Sequence, residues 1–194
     1  MSARLPAAAR REQLLAAALG VFAGRGFDGA SMNDVADAAG VTKPVLYQHF
    51  ASKRALYQAL LEEVGASLRT AITKATVEAS TPREQVERGF AAWYRWINDE
   101  RDGFRLLFGS GTRRDSGFAA TVRGVEDALA GAIAPLIQAD VDADHQRILA
   151  WGLVGMAEAS ARRLVAEPVP FDPERVGHQL ADLAWAGLRG VRRI

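Results

Sequence analysis

The chain has 194 residues, 49% of them hydrophobic, with a formal net charge of +1 and no cysteine. That length and apolar content supply one large or two small buried cores and argue against wholesale disorder. The missing thiols exclude disulfides and thiolate metal sites, in keeping with a cytoplasmic location. His49, His145 and His178 are too far apart in sequence for metal-ligand spacing, so neither a metal nor a cofactor is expected. No run of about 18 apolar residues predicts a membrane span, and the opening MSARLPAAARREQLL turns amphipathic, unlike a signal peptide.

Nearly every segment has helical periodicity, which predicts an all-α protein. Over 7–24, Leu14, Leu15, Ala18, Leu19 and Phe22 recur at three- and four-residue steps, and Gly24, Gly26 and Gly29 then interrupt the helix. Ser31 is a good N-cap, with Asp34 three positions on. Val35, Ala36 and Ala39 form a small inner face, Gly40 supplies the permissive corner, and Val41, Val45 and Leu46 line the next helix, capped by Thr42 with Pro44 in its first turn. Ser52 opens a long helix over 52–78. Thr81-Pro82 starts an aromatic helix over 82–100, and 103–109 forms a short one. The stretch GSGTRRDSG, 109–117, has the composition of a mobile loop. Long helices follow over 117–139, bent near Pro135, and over 143–166. Pro168-Val-Pro170 is a linker, and Asp172-Pro173-Glu174 opens a last helix lined by Val176, Leu180, Leu183, Ala184, Leu188 and Val191.

Residues 31–53, SMNDVADAAGVTKPVLYQHFASK, carry the strongest functional signal. Two short helices meet at Gly40, and Thr42, Lys43, Pro44, Tyr47, Gln48, His49 and Lys53 remain for the outer surface. Such side chains donate to phosphates and base edges from a helix that fits a major groove. Residues 1–54 hold seven basic and four acidic residues, a balance of +3, so the remaining 140 sum to −2. A basic head on a near-neutral remainder suits contact with phosphate by the head alone. Helix N-termini at Ser31, Met32 and Thr42 offer free N–H groups to phosphate. Lys43 and Lys53 add charge and make affinity salt-dependent. Lys43 is also a donor for guanine, and Pro44 an apolar contact for a thymine methyl.

The segments LGVFAGRGFDGAS, MNDVADAAGVTKPVLYQHF and SKRALYQALL resemble the DNA-binding domain of the tetracycline-repressor (TetR) family over roughly residues 8–64. The resemblance implies an all-α homodimer: a helix-turn-helix domain over 1–52, joined by a long helix to a ligand-binding and dimerisation domain over 53–194. It implies a transcriptional regulator, a repressor, that binds a palindromic double-stranded operator and is released or modulated by a small effector. Carried over by position, Ser31 and Met32 sit beside phosphate, Thr42, Lys43 and Pro44 begin the recognition helix, Tyr47 and His49 reach the backbone, and Lys53 meets a phosphate. Lys43-Pro44 departs from the small residue that many relatives carry after the lysine, which bears on operator sequence rather than binding mode.

The middle of the chain is rich in aromatics. Together with the family resemblance, Phe90, Trp93, Trp96, Phe108 and Trp151 are expected to line an apolar effector cavity. Arg105, Arg113, Arg114, Arg162 and Arg163 are candidates for an anionic head group at its mouth, which favours a long hydrophobic acid or acyl thioester. Gly152, Gly155 and Ala159, with Leu180, Leu183, Ala184, Gly187 and Leu188, suggest a four-helix interface between subunits. The alternatives are an effector-independent DNA-binding protein with a filled core and an all-α enzyme for a hydrophobic substrate. The second lacks any nucleophile motif, phosphate loop or dinucleotide fingerprint, so no catalytic residue is assigned.

Overall fold

The structure, a computed structural model, describes residues 5–167 and 169–191, the side chain of Ser110 excepted. Arg4 of the basic head and Pro168 of the expected linker lie outside these residues. All described secondary structure is helical, as expected, and packs into two compact units. One, the head, runs to Val64 and includes Asp102–Val122; the other, the body, comprises Gly65–Arg101 with the chain from Arg123 onward. The packing therefore differs from the contiguous division expected at residue 52.

The head begins with α1 (Ala7–Gly29), whose stripe of Leu14, Leu15, Ala18 and Phe22 is buried as its periodicity predicts. The helix runs past Gly24 and breaks at Gly26, which takes φ 70°. Then α2 (Met32–Ala38) starts from a full capping box. The Ser31 hydroxyl accepts from the Asp34 N–H at 3.2 Å, and the Asp34 carboxylate accepts from the Ser31 N–H at 2.8 Å. Gly40, at φ 64°, ends the helix. Its N–H donates to the Asp37 carbonyl at 3.1 Å and the Val41 N–H to that of Ala36 at 3.0 Å, a Schellman closure that needs the left-handed residue. That corner launches α3 (Lys43–His49), held to the core by Leu46 at 0% exposure. The Gln13 amide clamps the corner from α1, donating to the Ala39 carbonyl at 2.8 Å.

Ser52 caps α4 (Lys53–Val77) through the Ala55 N–H at 3.1 Å. The first half of α4 belongs to the head and the second to the body. The rest of the head is α6 (Arg101–Phe108, after α5 at Pro82–Asp99), α7 (Ser110–Arg114) and the start of α8 (Ser116–Ile133). The expected loop at 109–117 is thus a helical turn. Thr112 is buried, with its hydroxyl 2.7 Å from the Tyr57 hydroxyl and donating to the Leu106 carbonyl at 2.7 Å. These tertiary bonds outweigh the local flexibility of glycine and serine.

In the body, Thr81 caps α5 through the Glu84 N–H at 3.1 Å. After α8 the chain makes a 3₁₀ turn, Ala134–Leu136, where the proline bend is expected. Asp142 then caps α9 (Ala143–Ala166), and Asp172 caps α10 (Pro173–Gly190). Helices α5 and α10 run antiparallel. Arg83 pairs with Asp182 at 3.1 Å near one end and Arg95 with Glu174 near the other. Between these pairs Gly177 faces the Ala91 backbone, where a β-carbon would lie 2.9 Å from the Ala91 Cα.

Candidate nucleic-acid interface and ligand cavity

The α3 surface follows from its anchoring. Leu46 inside and the Gly40 corner behind it turn Thr42, Lys43, Pro44, Tyr47 and Gln48 outward, all exposed. Tyr47 keeps 43% of its surface, which an ordinary corner-packing tyrosine would bury. The Lys43 ammonium lies 5.9 Å from the centre of its ring. Thr42 caps by backbone conformation alone, with no side-chain hydrogen bond to the helix. His49 is half-buried beside Phe50, at 6.5 Å between ring centres.

Three of the expected phosphate contacts are placed differently. Met32 is 6% exposed, so its side chain serves the core and only its main chain faces the helix N-terminus. The Ser31 hydroxyl is engaged with Asp34, which also pairs with Arg25 at 2.5 Å. Hydrogen bonds from Ser31 and the Arg25 charge hold the Asp34 carboxyl below its usual range, so the α2 N-terminus already faces an anion of its own chain. The Lys53 ammonium donates to the carbonyls of Phe27 at 2.7 Å and Ala30 at 2.9 Å, and sits 4.5 Å from the Phe27 ring centre. It closes the end of α1, so its charge stays near the surface while its hydrogen bonds are made within the chain.

A cavity of about 120 Å³ lies within the body, walled by α4, α5, α8, the 3₁₀ turn, α9 and α10. Its walls are mostly apolar. Of the five aromatic residues expected at an effector cavity, Phe90 and Trp93 are in its wall. The other three expected residues are not. Trp96 is buried elsewhere and donates from its indole to the Ser67 hydroxyl at 3.0 Å. Phe108 belongs to the head, 5.1 Å from Phe104. Trp151 is 45% exposed on α9 and donates to Asp127 at 3.1 Å. Helical periodicity separates inside from outside, but it does not say which inward rings meet a void and which meet another helix.

None of the five arginines expected at the mouth lines the cavity; Arg189 does. Arg162 pairs with Glu158 at 3.4 Å and Arg163 with Glu167 at 2.7 Å. Trp185 and Gln85 are further lining residues that the pattern did not single out. The available signal is Trp185 itself, one position beyond the Ala181–Ala184 stripe of α10. Across α5 and α10, Glu87, His178 and Asp182 bring ligand atoms within 4.8 Å of one another, a juxtaposition that sequence spacing cannot reveal. Arg83 pairs with Glu87 at 2.7 Å and with Asp182, so its guanidinium supplies the cation there.

Residues 14–60 match the family described as bacterial regulatory proteins, tetR family, and residues 82–187 match the tetracyclin repressor-like C-terminal domain. The HTH-type transcriptional activator FasR of Mycolicibacterium smegmatis is 36% identical over 190 residues, 97% of this chain and 87% of its own. A TetR-like regulator from Rhodococcus sp. RHA1 has a solved structure, 30% identical with a TM-score of 0.77, covering 97% of this chain and all of the other. The fold is shared at 14% identity and a TM-score of 0.77 by FadR from Bacillus subtilis, solved in complex with stearoyl-CoA, over 93% of this chain and 99% of that one. No described helix is long and apolar enough to cross a membrane. With a helix-turn-helix head, a helical body and relatives along nearly its whole length, the chain belongs to the TetR family of DNA-binding transcriptional regulators and is not an enzyme.

Proposed function

We propose that this is a cytoplasmic, dimeric regulator that reads a palindromic operator through α3 and responds to a long-chain acyl effector in the body cavity. The supporting observation for DNA is that α3 buries one face through Leu46 while Thr42, Lys43, Pro44 and Tyr47 stay open to solvent. For the effector it is an apolar cavity of about 120 Å³ where a filled core would suit an effector-independent protein. The FadR structure with stearoyl-CoA supplies a precedent for the fold. The sign of control follows from operator position. Repression is what the family resemblance suggests, whereas FasR is named an activator; a dimer over the promoter blocks polymerase and one upstream can recruit it.

A palindrome needs two heads. On α9, Ile148 at 59% exposure, Trp151, Gly152, Gly155 and Ala159 form an open stripe at helical spacing, and Leu183 on α10 is 61% exposed. Small residues beside large apolar ones suit close helix packing, and a second copy of the chain is the proposed cover. Of the other residues expected there, Gly187 is exposed and Ala184 is buried within its own chain, with Leu180 and Leu188 half-buried.

Cavity occupancy acts on α4, which lends Ile72 and Thr76 to the cavity wall and whose first turns belong to the head. The effector shifts the equilibrium only by its preference for one arrangement; swinging 1:99 to 99:1 needs roughly 10⁴-fold. The test is a gel shift of the full chain on its own gene's upstream region. Lys43→Ala is expected to weaken specific binding about tenfold and lower the salt slope by about one. Tyr47→Ala weakens it with less change in slope. Wild-type protein that prefers no duplex over random competitor at moderate salt would sink the proposal.

A further inference from the structure

The cavity wall is apolar except at a few points, and Gln85 and Arg189 are among those whose side chains find no partner among the described residues. Gln85 lies in the first turns of α5; its main chain donates to the Thr81 carbonyl at 3.0 Å, but its carboxamide makes no hydrogen bond among the described residues, and the Oε1 is buried without a partner. Arg189, in the last turn of α10, is exposed at the cavity edge with no ion pair among the described residues. Thr76, by contrast, already donates to the carbonyls of Ile72 at 3.0 Å and Thr73 at 3.2 Å.

The antiparallel register of α5 and α10 gives their spacing. Arg83 lies level with Asp182 and Arg95 with Glu174, so Gln85 lies near the level of Ala181. Arg189 is then about eight residues further, ~12 Å along the axis. A carboxamide is self-complementary with another amide: its oxygen accepts and its nitrogen donates, and a half-turn of the end group exchanges them. An alkyl chain beside Gln85 leaves that oxygen unmet.

We propose that Gln85 and Arg189 are specificity-determining residues that measure the effector. They select an amphiphile whose amide group lies near Gln85 and whose anion lies roughly 12 Å away at Arg189, beyond an apolar tail held against Phe90 and Trp93. An acyl chain on a phosphopantetheine arm meets this. Its thioester-proximal amide precedes the phosphate by about ten bonds, roughly 12 Å when extended. A free fatty acid offers the anion without the amide. An N-acyl amino acid offers both too close together, so it engages one point at a time. The proposal rests on the acyl reading of the cavity and adds which atoms discriminate.

The experiment is titration calorimetry of the full chain with palmitoyl-CoA, palmitate and N-palmitoylglycine, each below its micelle concentration. Gln85→Leu, which conserves volume, is expected to weaken palmitoyl-CoA about tenfold and palmitate less than twofold. Arg189→Ala is expected to weaken palmitoyl-CoA about tenfold, with Arg189→Lys recovering part of the loss. For N-palmitoylglycine only one of the two substitutions has an effect. Gln85→Asn, which keeps the carboxamide but shortens it, serves as a second variant should the leucine protein melt at a lower temperature. Palmitoyl-CoA binding within twofold of wild type in both Gln85→Leu and Arg189→Ala overturns this assignment while leaving the acyl reading intact. Failure of wild-type protein to bind any of the three probes overturns the acyl reading, and the assignment falls with it.

Discussion

Asp115 is held by four donors. Its oxygens accept from the Arg54 guanidinium at 2.9 and 2.6 Å and from the N–H groups of Gly117 at 2.9 Å and Phe118 at 3.0 Å. These bonds, led by Arg54, hold its carboxyl far below the usual carboxylate range. A depressed native pKa adds stability above the unfolded-chain value, about 4, and the gain is lost as pH falls through and below it. Thermal unfolding of Asp115→Asn is therefore expected to start from a lower midpoint at pH 7 and to fall less steeply than wild type between pH 5 and pH 3. Parallel pH profiles would contradict this. Asp34, lowered by the same logic in its capping box, leaves a remaining acid slope in the variant. Lys53 is a second residue whose type was legible and whose partners were not. A lysine at the start of α4 reads as a phosphate contact, yet it is the fold of α1 onto α4 that places two carbonyls within its reach. Replacement by alanine should cost the head about 1–3 kcal/mol, seen as a lowered melting midpoint without DNA.

Between elements, Gly177 sets how closely the backbones of α5 and α10 approach in the body. A methyl group there meets main-chain atoms of Ala91, with the amide nitrogen at 3.1 Å and the Cα at 2.9 Å. Backbone cannot rotate aside as a side chain would, so α5 and α10 must separate. Gly177→Ala is expected to destabilise the protein by about 1–3 kcal/mol despite the better helix propensity of alanine, measured by urea unfolding. Because α5 and α10 carry Phe90, Trp93 and Trp185 into the cavity, acyl-probe affinity should change with it. An unchanged midpoint would show that this contact does not constrain the pair. Local signals foretold the helix starts well: Ser31, Thr81 and Asp172 all accept cap hydrogen bonds where the sequence places them. They misjudged 109–117, where Thr112 finds partners far along the chain or in the preceding turn that no local rule includes.

For the whole molecule, the proposed dimer makes function depend on association. Leu183→Arg or Gly155→Arg sets a charge on the open α9–α10 stripe without touching the body's buried residues. Either is expected to shift sedimentation from dimer to monomer at micromolar concentration. Operator affinity should drop with it, since one head forfeits the second half-site. Two variants that remain dimeric would remove this face from the interface.

The sequence by itself determined the helical class, the corner at Gly40 and the open α3 surface, because helical period, caps and a left-handed glycine act over a few residues. It also carried the family in the motif of residues 31–53. Only the tertiary structure decided that Lys53 turns to carbonyls of its own chain, that Asp102–Val122 packs with the head, and that Gln85, Trp185 and Arg189 line the cavity while Trp96, Phe108 and Trp151 do not. The physical reason is that a cavity is the space helices leave unfilled. That space depends on axial distance and rotation set by contacts between residues distant in sequence, such as Gly177 against Ala91.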